Sequence, residues 1–191
     1  YERYKKGNES IEDWRRSNVN ALVREVYTAV KASGKNIRFG ISPFGIWANR
    51  SSNTAGSASS GQESFYHQYA DSLNWIREGI IDYIVPQIFW NIGYPSADYK
   101  KLVQWWENAV AGSNVDLYIG HAAYKAGNKD SKSSWYGTAE IEKQLNYNAG
   151  HAQIKGSIFS SYRSLDTNSA LCQAICSIYQ MRDKPETAIP V

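Results

Sequence analysis

The chain has 191 residues, with 42% hydrophobic and 20% charged side chains and a net charge of +3. That is the size and balance of one globular domain with a sizeable core, and the charge is too small to argue for nucleic acid. No stretch approaches the roughly 18 consecutive apolar residues of a membrane-spanning helix.

Two features stand out in the composition. Seven Trp and fourteen Tyr exceed what a core of this size needs, and aromatic faces are what sugar rings stack on. Cys172 and Cys176 lie four apart on a predicted helix, sharing a face but too constrained for an unstrained disulfide. With no ligand-type spacing to any histidine, they read as small core residues, and neither metal nor cofactor is expected.

Residues 1–12 read as a loop, with Ser10 or Asp13 as a helix cap. Val19, Leu22, Val23, Val26 and Val30 then recur at helical spacing, and the helix stops at Gly34. A strand follows over 37–41. Residues 48–64 form a Ser/Gly/Asn-rich loop of a length that suggests a lid or a disordered insert. A second helix carries Tyr66, Tyr69, Leu73 and Arg77 and stops at Gly79. The next strand, 82–88, contains Pro86, which predicts a bulge or bend beside Gln87. A third helix over 97–111, capped by Ser96, stops at Gly112. It is followed by a strand at 115–119, a polar loop at 125–137 and a fourth helix at 138–149. A strand at 155–160 and a last helix at 167–182 complete the pattern, with 185–191 an exposed tail.

Helix and strand alternate throughout, which implies a parallel sheet with right-handed crossovers. The strands start at 37, 82, 115 and 155, so each unit is 33 to 45 residues. No G-x-G-x-x-G phosphate loop follows an early strand. In three of the four units the loop after the strand is the longer one, which suits a barrel whose site lies at the strand C-termini. A complete (β/α)8 barrel needs about 250 residues and eight strands, and four are seen. The expectation is α/β parallel repeats forming one partial barrel domain over 1–184.

At or just past the strand ends sit Ser42 and Trp47, Gln87 and Trp90, His121 and Tyr124, then Ser160, Ser161 and Arg163. His121 is the natural acid–base candidate, or else a hydrogen-bonding residue that orients a ligand or a neighbour. Asp82 and Asp116 start their strands, on the face that serves stability in a barrel. Glycoside hydrolysis calls for two carboxylates about 5 to 9.5 Å apart. No Asp or Glu stands at a strand C-terminus, and Asp130 and Asp166, in loops, are the acids that could reach the site. A serine hydrolase is disfavoured, because ISPFG is not the G-x-S-x-G elbow.

DWRRSNVNALVREVY (Asp13 to Tyr27), RFGISPFGIW (Arg38 to Trp47), WIREGIIDYIVPQIFWNIG (Trp75 to Gly93) and LYIGHAAYK (Leu117 to Lys125) resemble the glycosyl-hydrolase-like 10 family, bacterial envelope proteins with a (β/α)8 barrel. The resemblance implies the second half of that barrel, strands five to eight. It also implies that the family's acidic F-D-D-Y-F-Y-P motif falls before Tyr1. The implied function is hydrolysis of a cell-wall glycan such as peptide-free peptidoglycan, in the periplasm or outside the cell; the alternative is a non-catalytic carbohydrate-binding domain. Trp47 and Trp90 would then stack on sugars. Ser42, Gln87, His121 and Tyr124 would line the cleft, and Arg15 would pair with a carboxylate. The partners expected are a glycan and either the N-terminal half of the barrel or a second copy that closes it.

Overall fold

A computed structural model describes residues 1–182; the expected tail at 185–191 lies outside the described residues. The elements alternate as expected: α1 (Ile11–Ala32), β1 (Gly40–Ile41), α2 (Ser64–His67), α3 (Ser72–Glu78), β2 (Tyr83–Ile84), α4 (Tyr99–Val110), β3 (Asp116–His121), a 3-10 turn (Ala123–Lys125), α5 (Ala139–Ala149), β4 (Ile154–Phe159), α6 (Tyr162–Asp166) and α7 (Ser169–Arg182). The four strands form one sheet in the order β1-β2-β3-β4, and every pair is parallel. This is four consecutive strands of a barrel-type α/β fold, with β1 and β4 each bonded on one side among the described residues.

Local chemistry explains the element ends. Ser10 caps α1 by accepting from the Asp13 amide at 3.1 Å, and Glu12 and Asp13 in its first turn complement the helix dipole. Asp71 caps α3, and Asp98, not Ser96, caps α4 by accepting from Lys101 N at 3.1 Å. The helix-ending glycines Gly34, Gly79 and Gly112 all have positive φ. The single helix expected between residues 66 and 78 is instead two, α2 and α3. They are broken at Gln68–Asp71, where Tyr69 takes φ 55°.

Pro86 has the effect its missing N–H predicts. The regular pairing of β2 ends at Ile84, and contact with the neighbours resumes as single bridges at Gln87, to Phe44 and Gly120. The Pro86 carbonyl still accepts from Gly120 N at 3.0 Å. At the opposite end, Asp82 accepts from Phe39 N at 2.6 Å and from Lys31 Nζ at 2.7 Å, so this strand-start acid ties β2 to α1 and the approach to β1.

The main core lies between the sheet and helices α3 and α4, around Trp75, Ile84, Ile88, Leu102, Trp106, Leu117 and Ile119. Trp106 is fully buried and donates its Nε1 to Gly45 O at 2.8 Å. A second cluster, Ile141, Leu145, Leu171, Ile175 and Ile178, seals α5 against α7. Two expectations about burial need correcting. On α1 only Val23 is buried, while Leu22 and Val26 point outward at 60% and 37% exposure. Cys172 and Cys176 are exposed, because the apolar stripe of α7 runs through Leu171, Ile175 and Ile178 instead.

The 48–64 loop is neither an insert without structure nor a free flap. Asn49 organises it. Its Oδ1 accepts from Ser59 Oγ (2.9 Å) and Gly61 N (3.2 Å), its Nδ2 donates to Gly61 O (2.9 Å), and its amide donates to the buried Glu63 carboxylate (2.7 Å). Trp105 Nε1 on α4 then fastens the loop tip through Ala55 O at 2.9 Å.

Candidate functional site

The candidate site lies at the C-terminal end of the sheet. There Ser42 from the end of β1 and Gln87 from beyond β2 meet directly. Gln87 Nε2 donates to the Ser42 carbonyl at 3.0 Å and lies 3.2 Å from its Oγ, which donates to Val85 O at 2.8 Å. Together with Phe89, Ile158, Ser160 and Tyr162 they line a hollow of about 370 Å³ on the face of the sheet away from the helices. Gly45 makes this approach of chains possible: a Cβ there would meet Gln87 O at 2.6 Å and Gln87 C at 3.1 Å, both backbone atoms. Phe89 and Tyr124 meet edge to face at 5.9 Å, which carries the rim across to the loop after β3.

His121 faces the other way. Successive strand residues point to opposite faces, and Leu117 and Ile119 fix the core face of β3. His121 continues that series and is 0% exposed. Its Nδ1 lies 2.9 Å from Gln144 Oε1 and its Nε2 3.0 Å from Ser157 Oγ. A glutamine carbonyl only accepts, so Nδ1 carries the proton and Nε2 accepts from the serine. Burial pushes the imidazole pKa down to about 4. The ring is neutral and walled in, so it does not stand at the mouth as an acid–base or sugar-contacting group; it orients its neighbours Gln144 and Ser157, the other role expected of it.

The same network reaches the site from behind. Gln144 Nε2 donates to Trp90 O (3.1 Å) and to Glu140 Oε1 (2.9 Å), and Glu140 Oε1 accepts from Ile92 N (2.7 Å). Glu140 is 5% exposed, and its carboxyl is raised, chiefly by burial. The turn after β2 is therefore held by α5 through a path His121–Gln144–Glu140. The indole of the half-buried Trp90 packs against the core at this turn. Sequence reasoning missed Glu140 and Gln144. Their spacing of four on α5, beside Ile141 and Leu145, was the available signal that both share the core side of the helix.

The other expected residues separate. Trp47 is 5% exposed, stacked on Trp105 (5.9 Å) and packed on Phe65 (4.8 Å), so it belongs to the core and does not line the hollow. Its indole N–H exerts a weak pull on the half-buried Asp71 carboxyl, which desolvation raises, but meets no acceptor in hydrogen-bonding geometry. Arg15 is exposed on α1, donates to the Tyr69 hydroxyl at 2.5 Å and stands over that ring. Asp130 and Asp166 are exposed; Asp130 serves its own turn by accepting from Lys132 N at 3.0 Å. Among the described residues, no Asp or Glu lines the hollow.

Comparison with known proteins gives the family. The profile of the family described as Glycosyl hydrolase-like 10 matches residues 1–137. A Bacillus subtilis (strain 168) protein, glycosyl hydrolase YngK, is 42% identical over 170 residues, covering 88% of this chain and 33% of its own length. Glycosyl hydrolase DigH of Escherichia coli K12 is 35% identical over 186 residues, or 95% of this chain and 42% of the relative; its Shigella flexneri counterpart gives the same figures. The chain thus spans 33% to 42% of the length of the curated relatives it matches. The chain belongs to the glycosyl hydrolase-like 10 family.

Proposed function

We propose that this chain forms one wall of the glycan cleft of a glycoside hydrolase acting on a bacterial cell-wall glycan, such as peptide-free peptidoglycan strands, in the periplasm or outside the cell. The observation that carries the reading is the hollow at the strand C-termini in a chain of this family, where the amide of Gln87 and the hydroxyl of Ser42 converge beside the rings of Phe89 and Tyr162. Amides and hydroxyls suit sugar hydroxyls and N-acetyl groups, while aromatic faces suit the C–H surface of a pyranose. Tyr124 extends this wall, and Trp90 supports its turn. Arg15, held by Tyr69, would pair with a carboxylate from outside the hollow's lining.

The reaction would be hydrolysis through an oxocarbenium-like transition state, with carboxylates reaching the bond from residues outside the hollow's lining. The acid-free lining also favours a second reading, glycan binding without catalysis.

Both are tested by titrating peptide-free peptidoglycan oligomers into the 191-residue chain while following reducing-end release. Release supports hydrolysis, and its survival in Asp130→Asn and Asp166→Asn would place the catalytic acids elsewhere. Binding without release supports the second reading. Absence of binding, repeated with Gln87→Ala as a reference, would overturn both.

A further inference from the structure

The hollow at the barrel mouth is not isolated. Its lining shares Ser161 with a second hollow of about 610 Å³, lined by Tyr124, Arg163, Thr167 and Asn168 among others. That hollow shares Tyr124, Ala126 and Gly127 with a third, of about 480 Å³, which ends on Trp135. The shelf under Trp135 is firm. Gly127 N donates to Gly137 O (2.7 Å), Asn128 N to Trp135 O (3.1 Å) and Gly137 N to Asn128 O (3.3 Å), so the loop closes on itself.

The lining has a sign. Among the described residues it contains Lys125 and Arg163 and no acid. Lys125 Nζ donates to Phe89 O at 2.7 Å and sits 5.3 Å from the Trp135 ring centre and 5.9 Å from that of Tyr124. No ion pair holds either cation among the described residues. Two cations without counter-charges, set near the exposed ring of Tyr124 and the half-buried ring of Trp135, form a surface for a ligand with apolar faces and negative charge.

We propose that the three hollows form one groove that seats an extended, carboxylate-bearing glycan, with Tyr124 and Trp135 stacking on successive sugars and Arg163 and Lys125 pairing with carboxylates beyond the barrel mouth. This rests on the reading of the mouth as a glycan site and extends it to a polymer, whose affinity grows with chain length along the groove.

The test is calorimetric titration of the 191-residue chain with peptide-free peptidoglycan oligomers from disaccharide to octasaccharide, and with neutral N-acetylglucosamine oligomers of equal length. For the native chain, affinity is expected to rise with length in both series and to be higher in the acidic one at low salt. Trp135→Ala should remove about tenfold in affinity for the octasaccharide and nothing for the disaccharide. Arg163→Gln, at an exposed position that folding tolerates, should weaken only the acidic oligomers, about three- to tenfold at low salt, with the difference shrinking as salt screens it. Equal affinity for short and long oligomers, or a Trp135→Ala loss that is the same at every length, would overturn the groove while leaving the mouth intact. If no oligomer binds the native chain, the mouth reading and the groove fall together.

Discussion

The Nδ1–H of His121 points at the side-chain carbonyl of Gln144, 2.9 Å away, and this contact fixes the orientation of the whole glutamine amide. With its oxygen committed to the histidine, the nitrogen must face Trp90 O and Glu140 Oε1, which is where it lies. One buried amide thereby joins β3, α5 and the turn after β2.

Gln144→Leu removes the partner of buried His121 Nδ1 and of Trp90 O, and one of the two donors to Glu140 Oε1. The expected loss is about 2–4 kcal/mol, read from urea unfolding. A fluorine label on the Trp90 indole should show a shifted and broadened NMR signal in this variant, because the turn that carries it is released. A loss below about 1 kcal/mol with an unchanged fluorine signal would show the turn to be held by other contacts.

The pH behaviour of His121 follows from its burial. In the unfolded chain the imidazole takes up a proton near pH 6.5, whereas the folded chain resists until about pH 4. Protonation thus favours unfolding between those limits. The contribution is complete above pH 6.5 and falls as pH drops toward 4, by up to about 3 kcal/mol in all. Asp71 and Glu140, raised by burial, act in the opposite direction, so the comparison must be with His121→Gln. The native chain should lose stability relative to this variant between pH 6.5 and 4.5, as measured by denaturant midpoints; parallel profiles would exclude His121 as the cause.

Two buried tryptophans should respond differently to replacement by phenylalanine. Trp106 Nε1 satisfies Gly45 O, so Trp106→Phe strands a buried carbonyl beside the site in addition to losing ring area. Trp47 Nε1 has no acceptor in hydrogen-bonding geometry. Trp106→Phe is therefore expected to cost about 1–3 kcal/mol more than Trp47→Phe in thermal or urea unfolding. Equal costs would mean that ring volume alone matters at both.

Gly45→Ala presses a methyl group against the backbone of Gln87. Backbone cannot swing aside as a side-chain tip can, so β1 and β2 must part at their C-terminal ends. A loss of about 1–3 kcal/mol is expected from overpacking, together with weaker glycan binding as Gln87 moves away from Ser42. Full retention of both would show slack in the strand ends.

Much of the fold was legible because its signals are local. Glycines stopped α1, α3 and α4, apolar spacing marked α4 and α7, and Pro86 announced the interruption of β2. The errors arose where local signals meet long-range packing. The Ser/Gly composition of 48–64 concealed that one asparagine side chain and the buried Glu63 bind the loop to itself. Alternation along β3 could have placed His121 with Leu117 and Ile119, yet its position at a strand end suggested a mouth residue. Trp47 lies in an irregular turn, where no periodicity shows which way a side chain points, and Trp105 and Phe65 captured it from distant parts of the chain.

One pattern on the open face of the sheet has a bearing on how the strands find one another. Gly40 is paired with Tyr83, and Tyr118 with Gly156, so each ring lies over a residue that has no side chain, and the two rings meet edge to face at 5.7 Å. A methyl group at Gly40 would sit 2.3 Å from the Tyr83 ring. Sliding β1 by two residues along β2 would keep the same face and much of the hydrogen bonding, but it would bring Tyr83 against Arg38 or Ser42 instead of bare backbone. The tyrosines thus act as keys that fit only one notch, and they select a single alignment among pairings that the backbone by itself would scarcely distinguish.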